Sequence, residues 1–283
     1  GTTISFDAGL EQDEAKKKTL NASATNSLDR ATNGAVEVPL MSDLSDSFIA
    51  KLPHSRSAAV HTAYAKAPDY IVSAINQHCD KLRCIKDTEY ETDCYGHYVL
   101  NRYGMRVKEP CHYSPMEHHI AMHNDMTDAE YADVLQHELG HFIDDVLGRP
   151  STGDRFRQAF SDAAARYSTD TPHGRMMLND MLDDAFSTGA AFDRNITDII
   201  SALTHNNPVV VRRFTEEGIA YYRHQNDYWD RQLRDGTNAG MREKDSFANI
   251  FAIETGSYRI STNFAERWFP QLSKALRDSI GGA

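Results

Sequence analysis

His137 and His141 stand four residues apart, with Glu138 beside the first, in the run His137-Glu138-Leu139-Gly140-His141. Four residues is close to one helical turn, so on a helix both imidazoles leave the same face and can share one metal ion. Glu138 is offset from that face and can reach a metal-bound water without being a ligand itself. The flanking sequence supplies the helix. Thr127 followed by Glu130 forms a capping box, and Gly148 with Pro150 is a stop signal, which together predict a helix over 128–147. Phe142, Ile143, Val146 and Leu147 give that helix a core side. The competing reading is an ordinary helix with two histidines satisfied inside the fold.

This His-Glu-x-x-His helix resembles that of the zincin metallopeptidases. The resemblance implies an active-site helix under a mixed sheet whose edge strand binds substrate, and a third zinc ligand from a later helix. The residues after His141 carry no Glu or His at metzincin spacing. The run Asp245-Ser-Phe-Ala-Asn-Ile-Phe251 is similar to the Glu-x-Phe-Ala-x-x-Phe helix of lethal-factor-like peptidases and of prophage-type peptidase domains, with Asp245 in the place of the ligand Glu. On a helix Asp245, Ala248, Asn249 and Ala252 share one face, and the alanines permit close approach to the first helix, while Phe247, Ile250 and Phe251 point into the core. Asp is one methylene shorter than Glu, so that helix must sit closer to the metal. Glu243 and Glu254 are the alternative ligands, and a structural ion pair is the competing role for Glu254. The deuterolysin-like pattern fails, because Gly236-Thr237-Asn238 is followed by Ala239.

A second block, His224-Gln-Asn-Asp-Tyr228-Trp229, resembles a His-x-x-x-Tyr-Trp stretch of the prophage-type enzymes. His224 and Tyr228 would share a helix face and could both stabilise an oxyanion, unless the block only packs with Tyr221, Tyr222 and Trp229. Asn195–Ile200 matches an Asp-Ile helix of the same group and is assigned packing without chemistry. The resemblance runs from Thr127 to about Glu254, with the helices between 153 and 205 as an insertion. It implies a Zn2+ endopeptidase with ligands His137, His141 and Asp245, Glu138 as general base, and a protein or peptide substrate, of a secreted toxin or effector type. Two further readings stay open: a non-catalytic binding module with a vestigial zinc site, and a zinc amidase acting on a non-protein amide such as peptidoglycan.

The rest of the chain must position these residues. It has 283 residues, 30 Lys+Arg against 41 Asp+Glu, a net charge of −11 and 13 histidines, with a mean hydropathy of −0.57. No apolar run approaches the about 20 residues of a membrane span. The acidic balance argues against nucleic acid or an anionic membrane as partner. Twelve Phe and 13 Tyr allow a sizeable core and exclude wholesale disorder.

Residues 1–43 are polar and read as a flexible or draped arm, and 44–283 as one α+β, zincin-like domain, mainly helical with a small twisted antiparallel or mixed sheet packed on the active-site helix. Helices are expected at 45–52 and 57–82, then at 128–147, 153–167, 175–186, 195–205, 211–233, 244–256 and 263–279. Strand-like pieces are Tyr98–Leu100 and His119–Met122. Cys79, Cys84, Cys94 and Cys111 lie in one stretch, which favours disulfides and an exported protein, with free thiols or a small zinc site as alternatives. His112, His118, His119 and His123 read as a solvated or cleft-lining strand face. If His119–Met122 is an edge strand, an extended peptide could add to it. No internal repeat stands out.

Overall fold

The computed structural model describes residues 43–256 and 258–281, so the polar arm expected over 1–43 falls, but for Asp43, outside the described residues. Short helices α1 (Asp46–Ile49), α2 (Ser57–Tyr64) and α3 (Asp69–His78) lead into strand β1 (Cys84–Asp87). The single helix expected over 57–82 is broken because Pro68 disfavours helical backbone at Ala67 and itself caps α3. Strands β2 (His112–Ser114) and β3 (His119–Met122) complete a three-stranded mixed sheet of order β1-β3-β2. In it β3 runs parallel to β1 and antiparallel to β2.

This order corrects the edge-strand expectation: β3 is central and buried along its whole length, and β2 and β1 are the edges. His118 lies in the preceding turn at φ 50° rather than on the strand. Its Nδ1 bonds the Tyr113 hydroxyl at 2.8 Å, while His119 pairs with Glu117 at 2.9 Å.

The remainder is helical. Helix α4 (Asp128–Val146) starts on the expected capping box, with the Thr127 hydroxyl accepting from the Glu130 N–H at 3.3 Å and the Glu130 carboxylate accepting from the Thr127 N–H at 2.9 Å. There follow α5 (Asp154–Arg166), α6 (Pro172–Thr188), α7 (Arg194–Thr204), α8 (Pro208–Glu216), α9 (Asn226–Trp229), α10 (Met241–Glu254), α11 (Arg259–Trp268) and α12 (Pro270–Ile280). Two expected helices are divided. The one over 211–233 ends at Glu216, where Gly218 takes a φ of +66° that favours glycine, and resumes only as the single turn α9. The one over 263–279 breaks at Phe269-Pro270.

The core is continuous. Ile120 and Met122 of β3, Leu135, Leu139, Phe142 and Ile143 of α4, and Phe247, Ile250 and Phe251 of α10 are all essentially inaccessible to solvent. The sheet rests on α4, with the Tyr113 ring edge-on to Phe142 at 5.7 Å.

Two sequence readings of the 79–111 region are corrected. All four cysteines are free thiols. They sit on separate elements: Cys79 is buried at the end of α3 and Cys84 opens β1, whereas Cys94 is exposed at a turn and Cys111 Sγ accepts from the His123 N–H at 3.3 Å. A short repeat also emerges. Asp93 and Asn101, eight residues apart, each use one side-chain oxygen to accept from the second and fourth following N–H groups. Gly96 and Gly104 close the two turns at φ +80° and +75°.

Candidate metal centre

Helices α4 and α10 cross where Gly140 meets Ala248. A Cβ on Gly140 would stand 2.6 Å from Ala248 Cα and 2.9 Å from its carbonyl oxygen, so only glycine allows this approach. The close crossing compensates for the short Asp245 side chain and carries it, 1% exposed, to the histidine pair. His141 Nε2 lies 3.1 Å from His137 Nε2 and 3.1 Å from Asp245 Oδ1. Ligand atoms on one tetrahedral zinc, with bonds of about 2.0–2.1 Å, stand about 3.3 Å apart. The three side chains therefore form a group that could hold a metal ion. The donor set agrees, since two imidazoles and a carboxylate suit zinc. A further sign is Asp245 Oδ2, a buried oxygen that accepts no hydrogen bond.

A hydrogen-bond chain fixes which His137 nitrogen is free. Asn249 donates its amide Nδ2 to Asp198 Oδ2 on α7 at 2.9 Å. That leaves Asn249 Oδ1 facing His137 Nδ1 at 2.8 Å, which must then donate, and the lone pair is presented at Nε2 toward the cluster. Asn249→Ala should raise the zinc dissociation constant by about 10–100-fold, read by titration against a competing chelator; an unchanged constant would remove this orienting role.

The electrostatics follow from burial. Burial and the neighbouring His141 charge push His137 down to about 3. Burial opposes protonation of His141 as well, but the bond to Asp245 and its charge outweigh it and lift His141 to about 9. Burial would raise Asp245, yet His141, His224 and His137 together lower it. Asp245 is thus a carboxylate against an imidazolium, whose proton a divalent cation bound there would displace. Burial raises Glu138, whose carboxylate also accepts from the Tyr113 N–H of β2. Burial and the Asp245 charge raise Asp198, and burial lowers His224.

The six residues singled out in the sequence converge. Glu138 is buried one residue from His137 on α4. His224 and Tyr228 stack at 4.0 Å between centroids, although His224 lies in an irregular segment rather than on a helix with Tyr228. The Tyr228 hydroxyl donates to Asp245 Oδ1 at 3.2 Å, and His224 Nε2 lies 3.3 Å from Asp245 Oδ2.

The alternative ligands are placed elsewhere. Glu254 accepts from the Tyr70 hydroxyl at 2.8 Å and from Arg277 at 3.0 Å, a structural ion pair. Glu243 belongs to neither group of described residues that could hold a metal. Two partners escaped the sequence reading. Asp198 lies in the Asn195–Ile200 run that reads as packing alone, and Asn249 shares the Asp245 face with no chemistry read from it. The one-turn spacing of Asp245 and Asn249 was the available signal for the second.

Comparison with family models, with curated proteins and with solved structures gives no match for the chain.

Proposed function

We propose that this chain is a zinc-dependent endopeptidase of zincin-like build, with His137, His141 and Asp245 as ligands and Glu138 as general base. The observation that carries the reading is His141 Nε2 lying 3.1 Å from both His137 Nε2 and Asp245 Oδ1, separations close to those of ligand atoms on one tetrahedral ion, with a buried carboxylate on the residue next to His137. Zinc held by three protein ligands keeps a position for water and lowers its pKa to about 7.

Glu138 takes the proton of the attacking water and later returns it to the leaving nitrogen, work that a carboxylate raised by burial suits. Tyr228 places a hydroxyl beside the cluster, where it can donate to a developing oxyanion. Extended peptide is favoured over other amides by β2. This edge strand lies against α4, and its Tyr113 N–H reaches the Glu138 carboxylate, so a peptide paired along it would pass the base. Export as a toxin or effector is supported by the resemblance alone, since the four cysteines are free thiols.

The test is cleavage of a panel of denatured proteins and of peptidoglycan by the zinc-loaded chain, with and without chelator. Chelator-sensitive cleavage of protein at internal bonds supports the reading. Release from peptidoglycan alone makes the enzyme an amidase, and tight zinc with neither activity makes it a binding module.

A further inference from the structure

Asp245 belongs to two clusters at once. Its Oδ1 faces His141 and Tyr228, whereas Oδ2 faces His224 Nε2 at 3.3 Å in a buried position without a hydrogen bond. Beside His224 stands Asp198, whose carboxylate also accepts from the His224 backbone N–H. The ligand atoms of Asp198, His224 and Asp245 all lie within 4.8 Å of one another, as do those of His137, His141 and Asp245.

We infer that Asp198, His224 and Asp245 form a second divalent-cation site, with Asp245 bridging two ions through its two oxygens. The 3.1 Å and 3.3 Å separations on either side of the carboxylate are those of ligand atoms sharing an ion, and two-metal hydrolases hold their ions about 3.5–4 Å apart. Burial points the same way: Glu138, Asp198 and Asp245 bring together three carboxyl groups each less than a tenth exposed, an acidic cluster whose desolvation bound cations would offset. Asn249 ties the halves together, since its oxygen orients His137 and its amide nitrogen holds Asp198. His224 thereby becomes a ligand in place of the oxyanion-stabilising part read from sequence.

The inference rests on the metal reading of the first cluster, and zinc stoichiometry separates the two. The full chain, stripped with chelator, dialysed against excess Zn2+ and desalted, should hold two zinc ions by elemental mass spectrometry. His224→Ala, at a side chain 42% exposed, should hold one. The nearly isosteric Asp198→Asn should also hold one, and a zinc-edge anomalous map should show the two ions flanking Asp245. One ion in the unmodified chain, lost in His137→Ala, overturns the second site and keeps the first. Two ions that persist in His224→Ala also overturn it, and no bound zinc in the unmodified chain overturns both.

Discussion

Replacing Glu138 by Gln should leave the zinc content unchanged and reduce kcat by about 10²–10⁴-fold, the span that a positioned general acid–base contributes. The substitution preserves shape. Gln fills the same volume at a position 6% exposed, and its carbonyl oxygen can still accept from the Tyr113 N–H. Because Glu138 is not in the ligand triangle, none of the three metal-binding atoms is touched. What is lost is a group that can take and return a proton. Metal analysis beside steady-state cleavage of an internally quenched peptide reads both halves. Full activity in the variant would remove Glu138 from the chemistry and with it the peptidase reading.

Gly140→Ala should lower both stability and zinc affinity, even though Ala is the better helix former by about 1 kcal/mol. That gain is opposed by a contact that cannot be relieved by a rotamer change, since the new methyl meets the backbone of Ala248, Cα at 2.6 Å and carbonyl oxygen at 2.9 Å. Helices α4 and α10 must separate, and overpacking of this kind costs about 1–3 kcal/mol. For a chain of this size the net loss amounts to a few degrees in Tm. The larger effect is at the metal. Asp245 rides on α10 one turn before Ala248, and its side chain is too short to follow the histidines across a widened gap. Zinc affinity should fall by more than about tenfold, each 1.4 kcal/mol of lost ligand contact being a factor of ten. Adding Asp245→Glu, one methylene longer, should recover part of it. A single variant with unchanged Tm and zinc affinity would show that the close crossing does not set the ligand geometry.

What the sequence disclosed was local. The pair His137/His141, the Thr127 cap and the Asp245/Ala248/Asn249 face depend on spacing within one helix, and each stands as read. The missed helix breaks, at Pro68, Gly218 and Pro270, were also local and were available in the residues. What stayed hidden depends on chain segments far apart. Asp198 meets Asn249 across 51 residues, and no periodicity announces that a buried Asp in an apolar helix serves an amide on another. The central place of β3 follows from its parallel pairing with β1, a non-local choice that alternation within His119–Met122 cannot encode. The eight-residue turn repeat was readable in principle, but one Asp and one Asn playing the same part concealed it. Four cysteines in one stretch of sequence fall on separate elements and are free thiols, a placement that depends on the fold and not on spacing.

The most direct measurement is a zinc-edge anomalous difference map from crystals of the chain grown with Zn2+. A peak bonded to His137 Nε2, His141 Nε2 and the Asp245 carboxylate at about 2.0–2.2 Å is the expected result. Absence of a peak there, or a peak bonded by Glu243 or Glu254 in place of Asp245, would contradict the metal centre from which the catalytic reading proceeds.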